Sequence, residues 1–203
     1  EGLSWLETVT MELATAQRKW GDFEQSSPEA LLHFEKAAQI LTEIGAFKKI
    51  SDTSRLSLLT STHLAWGEHL LDVGKTSEAL AQFYLGLKTA QPLSEELYES
   101  DTSLLRIYYD NLVGPLYKNI GMALLLEGKT GEARQALEQA NIYYVTYGLN
   151  SIFPATVAVL ENDDTQAFLD YGGITDPFQT GEALYWISRL AEQFPEKSTQ
   201  IEA

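Results

Sequence analysis

Two strings in this chain, Gly74-Lys75-Thr76 and Gly128-Lys129-Thr130, carry the residue types that cradle a phosphate. A phosphate loop also needs a glycine five positions before the glycine of that triplet, following a strand, so that backbone amides can wrap the anion. His69 and Ala123 stand there instead, and both strings read better as a helix cap, a turn and the start of the next helix. His33, His63 and His69 are the whole supply of imidazole. His63 and His69 fall roughly 240° apart around a helix, so they cannot grip one ion, and they are read as exposed or groove-facing side chains. The pairs Glu95-Glu96 and Asp163-Asp164 have the chemistry for acid–base work or for calcium. Around Glu161-Asn162-Asp163-Asp164, however, the alternating acids and central glycine of a calcium loop are missing, and helix capping is the better reading. No serine lies in a nucleophile-elbow context. There is no cysteine, which removes thiol nucleophiles, thiolate metal sites and disulfides together. These readings point to a chain that is not an enzyme and that uses no cofactor and no metal.

The residues with most to offer a ligand are aromatic. Tyr98, Tyr108, Tyr109, Tyr117, Tyr143, Tyr144 and Tyr147 crowd the middle of the chain, and a tyrosine joins an apolar body to a polar tip. Packing between helices is the favoured role; a Tyr-lined pocket for a small molecule, as in a carrier or regulatory subunit, is the alternative.

Charge narrows the partners further. Against 14 Lys and Arg stand 29 Asp and Glu, a net charge of -15, which repels phosphate backbones and anionic lipid surfaces. A protein or peptide partner is expected, and nucleic acid is not. The longest apolar runs, 120–126 and 153–160, fall far short of the ~20 residues that span a bilayer, so a soluble chain with no direct membrane insertion is expected. It opens on Glu1-Gly2-Leu3-Ser4 without an initiator Met, as a mature or trimmed chain would; the compartment stays open.

What must position such residues is a set of helices. The pattern Ser/Thr, any residue, Glu, Ala occurs at Ser27-Pro28-Glu29-Ala30, Thr76-Ser77-Glu78-Ala79, Thr130-Gly131-Glu132-Ala133 and Thr180-Gly181-Glu182-Ala183, with alanines 49, 54 and 50 apart. Each suits a helix start, the hydroxyl accepting from a free amide and the Glu facing the positive end of the helix dipole. Downstream come small and bulky residues at helical spacing: Ala30, Phe34, Ala37; Ala79, Phe83, Gly86; Ala133, Leu137, Ala140; and Ala183, Ile187, Leu190. Small residues let a neighbouring helix approach while the large one fills the gap. Gly74 and Gly128 end the preceding helices. The spacing predicts helices near 4–20, 28–46, 55–73, 77–90, 102–127, 131–147, 152–170 with a break, and 181–194, with a split at Gly114-Pro115 and irregular chain over 170–178. No strand alternation is convincing.

With those residues in place the chain resembles the tetratricopeptide repeat family. Trp66, Gly67, Leu70, Gly74, Ala79, Phe83 and Gly86 match its order of large, small and turn positions, as do Tyr117, Ile120, Gly121, Leu124, Gly128, Ala133, Leu137 and Ala140. Around Ala30 and Ala183 only the second helix matches, with Pro195 where the family often stops. The family repeats about every 34 residues, so the wider spacing requires longer helices or extra chain between units, as over 92–113.

The resemblance implies an all-α fold of stacked antiparallel helical hairpins, an α-α superhelix of about eight helices. A single domain over 1–203 would hold hairpin units at roughly 4–46, 55–90, 102–147 and 152–194. It also implies a non-catalytic scaffold or adaptor that binds a peptide or protein on a concave face. The family lines that face with the first helix of each hairpin, which carries the expectation to Leu64, Glu68, Leu71 and Asp72, then to Lys118, Asn119, Met122, Leu125 and Leu126. Family members that clamp chaperone carboxylate tails use paired Lys or Arg with Asn. Only Lys118 and Asn119 offer that here, so chaperone tails are not the expected ligand. A terminal hairpin with an apolar outer face needs a cap or a second subunit, which leaves a homo-oligomer open.

Overall fold

In the computed structural model the described residues are 2–24, 27–44, 52–100, 102–143, 188, 191–192 and 195–197. Helices account for nearly all of them. They are α1 (Gly2–Phe23), α2 (Pro28–Ile44), α3 (Asp52–Asp72), α4 (Thr76–Ser100), α5 (Thr102–Tyr108), a π-helical turn (Tyr109–Val113), α6 (Gly114–Leu126) and α7 (Thr130–Tyr143), followed by a 3-10 turn at Pro195–Lys197. The helices expected over 152–170 and 181–194, the irregular chain at 170–178 and the Ala183, Ile187, Leu190 set lie outside the described residues.

Two turns are built alike. Gly74 (φ 79°) and Gly128 (φ 74°) take the left-handed conformation that a Cβ makes costly. Around them Gly74 N–H donates to Leu71 O and Lys75 N–H to Leu70 O, while Gly128 N–H donates to Leu125 O and Lys129 N–H to Leu124 O. This paired bonding satisfies carbonyls left open at a helix end. The next helices start one residue earlier than the hydroxyl pattern suggests, because Ala79 and Ala133 donate to the carbonyls of Lys75 and Lys129. Side-chain capping of the expected kind is made at Ser27, whose Oγ accepts from Ala30 N–H at 3.3 Å.

The chain forms two compact units, Glu1–Leu116 and Tyr117–Ala203. In the first unit, α1 pairs with α2 and α3 with α4, and α3 also packs against α2, α1 and the π turn. Enclosed by these neighbours, α3 buries Leu59, Thr60, Thr62, His63, Leu64, Gly67, His69, Leu70 and Leu71. Such a helix shows little amphipathic contrast, because apolar and polar residues alike face protein. In the second unit α6 pairs with α7: Tyr117 stacks on Tyr143 with centroids 5.3 Å apart.

The small–large–small sets are core as expected, Ala30, Phe34, Ala37, Ala79, Phe83, Gly86, Ala133, Leu137 and Ala140 all being buried. Their large members press on glycines of the partner helix. A Cβ added at Gly67 would lie 2.3 Å from Phe83 Cε1, one at Gly121 would lie 2.6 Å from Leu137 Cγ, and one at Gly21 would lie 2.9 Å from the Phe34 ring. The same device closes the three hairpins found among the described residues.

The extra length lies in helix. Helix α4 continues through Pro92 to Ser100, and the rest of the stretch expected between units is taken up by α5 and the π turn. The split at Gly114-Pro115 takes the form of the π turn, in which Gly114 N–H reaches back five residues to Tyr109 O. Pro115 has no N–H to give and its ring crowds the carbonyl four residues before it, and widening the preceding turn makes room for both.

Candidate binding site

An open cleft lies between α2 and α4 in the first unit, floored by α3. Residues one turn apart on each helix line it: Leu31, Leu32 and Glu35 from α2, Trp66 and Leu70 from α3, and Glu78, Ala81 and Gln82 from α4. Its volume is about 460 Å³, within the range of small recognition sites. Helices α2 and α4 both rest on α3, and the short side chain of Ala81 leaves the space above Trp66 unfilled. The floor is apolar, while Glu35 and Glu78 stand exposed at the rim.

A polar pair stiffens the floor from below. His63 stacks parallel to Trp66, centroids 6.4 Å apart, and its Nδ1 donates to Gln82 Oε1 at 2.9 Å. Burial holds the His63 imidazole below its ordinary pKa, and the Gln82 hydrogen bond offsets part of that shift. The neutral ring therefore acts as a fixed spacer between α3 and α4 and fixes the orientation of Trp66. On the same helix His69 is also buried, 6.0 Å from the Phe34 ring. Both histidines thus correct the expectation of exposed or groove-facing imidazoles: α3 is central, so its polar side chains turn into the core.

The residues expected to line a groove fall in different environments. Leu64, Leu71, Asn119, Met122, Leu125 and Leu126 are buried, Lys118 is half-buried, and only Glu68 and Asp72 are exposed. None of them lines the α2–α4 cleft.

Of the clustered tyrosines, those whose side chains are described make packing contacts, Tyr117 with Tyr143. Tyr108 is buried and donates its hydroxyl proton to Ala90 O at 3.0 Å, tying the end of α5 to α4. Burial pushes its phenol above the ordinary tyrosine range. Tyr109 tilts against Tyr108. The side chain of Tyr98, and Tyr144 and Tyr147 entirely, lie outside the described residues.

A cluster not anticipated from the sequence clamps the α1–α2 turn. His33 stacks on Trp20 at 4.9 Å and its Nδ1 lies 2.6 Å from Gln17 Oε1, while Trp20 Nε1 donates to Glu24 Oε1 at 2.8 Å. Its signal is faint, because it needs the register between two helices and not a spacing within one. Among the described residues no group of three or more His, Asp or Glu could hold a metal ion, and no helix is long and apolar enough to cross a membrane.

Compared with protein-family models, curated proteins and solved structures, the chain matches none.

Proposed function

We propose that this chain is a non-catalytic interaction module, a divergent tetratricopeptide-like scaffold that binds a peptide or protein through the cleft between α2 and α4. The observation that carries this reading is the cleft itself, with Trp66, Leu31 and Leu32 offering apolar surface between the carboxylates of Glu35 and of Glu78, the latter paired with Lys75 at 3.3 Å. That chemistry suits one bulky apolar side chain flanked by Lys or Arg. The floor buries the apolar anchor, and the rim and the net charge of -15 attract the basic flanks. The same charge argues against nucleic acid as the ligand. The lining residues include no hydroxyl, thiol, amine or imidazole, which favours binding over turnover. Tyr108, Tyr109, Tyr117 and Tyr143 are engaged with one another or with backbone, which favours this reading over a Tyr-lined small-molecule pocket.

The test is a crosslinked capture, read by quantitative mass spectrometry, with the wild type beside Ala81→Trp, which fills the cleft from an exposed position, and Glu35→Lys/Glu78→Lys, which reverses its rim. A partner retained by the wild type, lost with Ala81→Trp and weakened by the rim reversal is the expected result. Capture that is the same with all three proteins would overturn the cleft assignment.

A further inference from the structure

Helix α1 carries an apolar stripe on its exposed side, where Trp20 offers to solvent the surface that its stack on His33 leaves free. Val9, Leu13, Ala16, Trp20 and Phe23 follow one another at spacings of four and three, and all are exposed, Phe23 at 86% and Trp20 at 53%. At roughly 100° per residue they fall within roughly 80° of arc. Buried Ala14 and Gly21 lie on the opposite side, towards α2 and α3. Scattered exposed apolar residues are ordinary, but a continuous seam with the coiled-coil period is a docking face.

Charge says what covers it. Glu12 and Lys19 flank the seam on the same side, one turn in from Val9 and one turn in from Phe23. Both are exposed, and neither forms a hydrogen bond or ion pair among the described residues, whereas Arg18 and Asp22 on another side are paired with each other. A surface with one positive and one negative group placed symmetrically about its middle is complementary to its own two-fold copy. We infer that two copies of this chain associate through α1, the helices antiparallel, with Glu12 of each facing Lys19 of the other. Trp20 of each copy then covers Val9 of the other, and Leu13 and Ala16 meet at the centre. This interface is separate from the α2–α4 cleft.

Sedimentation velocity on the full chain, over protein concentrations from roughly 1 to 200 μM at about 0.15 M salt, tests it; this salt screens the repulsion between two chains of charge -15. The expected result is a concentration-dependent monomer–dimer equilibrium that Leu13→Glu abolishes with an unchanged circular dichroism spectrum. Glu12→Lys and Lys19→Glu each place like charges together and weaken the dimer roughly three- to tenfold, while the double reversal restores it. A monomer at every concentration overturns the inference and leaves the seam to a foreign partner. So does a dimer insensitive to Leu13→Glu, or single reversals that the double variant fails to rescue.

Discussion

His63 costs the fold something when it is charged. Its folded pKa lies below 6.5 because burial penalises the imidazolium more than the Gln82 hydrogen bond favours it. Below the unfolded value the unfolded chain therefore binds more protons, and stability that is fully present above about pH 6.5 is lost as pH falls through the lower folded pKa. Thermal melts of the wild type and His63→Gln between pH 7.5 and 5 should diverge in slope, the wild type losing more; parallel curves would show that the imidazole is not desolvated. At Gly67 the argument is steric. The ring of Phe83 is fully buried and cannot retreat from a Cβ placed 2.3 Å away, so Gly67→Ala should destabilise by about 1–3 kcal/mol in urea unfolding. Ala79→Leu and Ala133→Leu should cost a similar ~1–3 kcal/mol for the same reason. The small–large–small residues were legible in the sequence because their spacing is local. The inward turn of His63 and His69 was not, since nothing within α3 reveals that other helices enclose it.

Helix boundaries were readable where backbone chemistry dictates them. Gly74 and Gly128 end α3 and α6 because each sits at positive φ, and Pro115 announces the break ahead of α6. Replacing Gly74 by Ala should cost about 1–2 kcal/mol, the penalty of a left-handed Cβ, and should lower the melting temperature without changing helix content. Pro92 misled in the other direction. It sits exposed inside α4, where it removes one backbone donor and crowds the preceding turn, yet the helix continues because buried Ala90 and Leu93 hold both flanks to the core. Pro92→Ala should therefore stabilise the protein by about 1–3 kcal/mol, after allowing for the greater freedom it gives the unfolded chain. A melting temperature that stays level or falls would mean that the proline is accommodated without strain.

At the scale of the whole molecule, the excess of carboxylates sets what the surface attracts. Binding of a labelled Lys-rich peptide with one Trp anchor should weaken as salt rises, and duplex DNA should give no anisotropy change at about 0.15 M salt. The all-α class and the antiparallel neighbours were legible because every signal used was periodic or local. The cleft over Trp66 was not, because it arises from contacts between helices far apart in sequence. The π turn has a meaning in the chain's history as well as in its geometry. Such a turn is what an α-helix becomes on absorbing one residue, so the segment Tyr109–Val113 has the form of a single inserted codon. Descendants that lose that codon would drive the ring of Pro115 into a carbonyl, so the deletion and the proline should be inherited as alternatives. A lineage shorter by one residue in this segment is expected to carry another amino acid in place of Pro115.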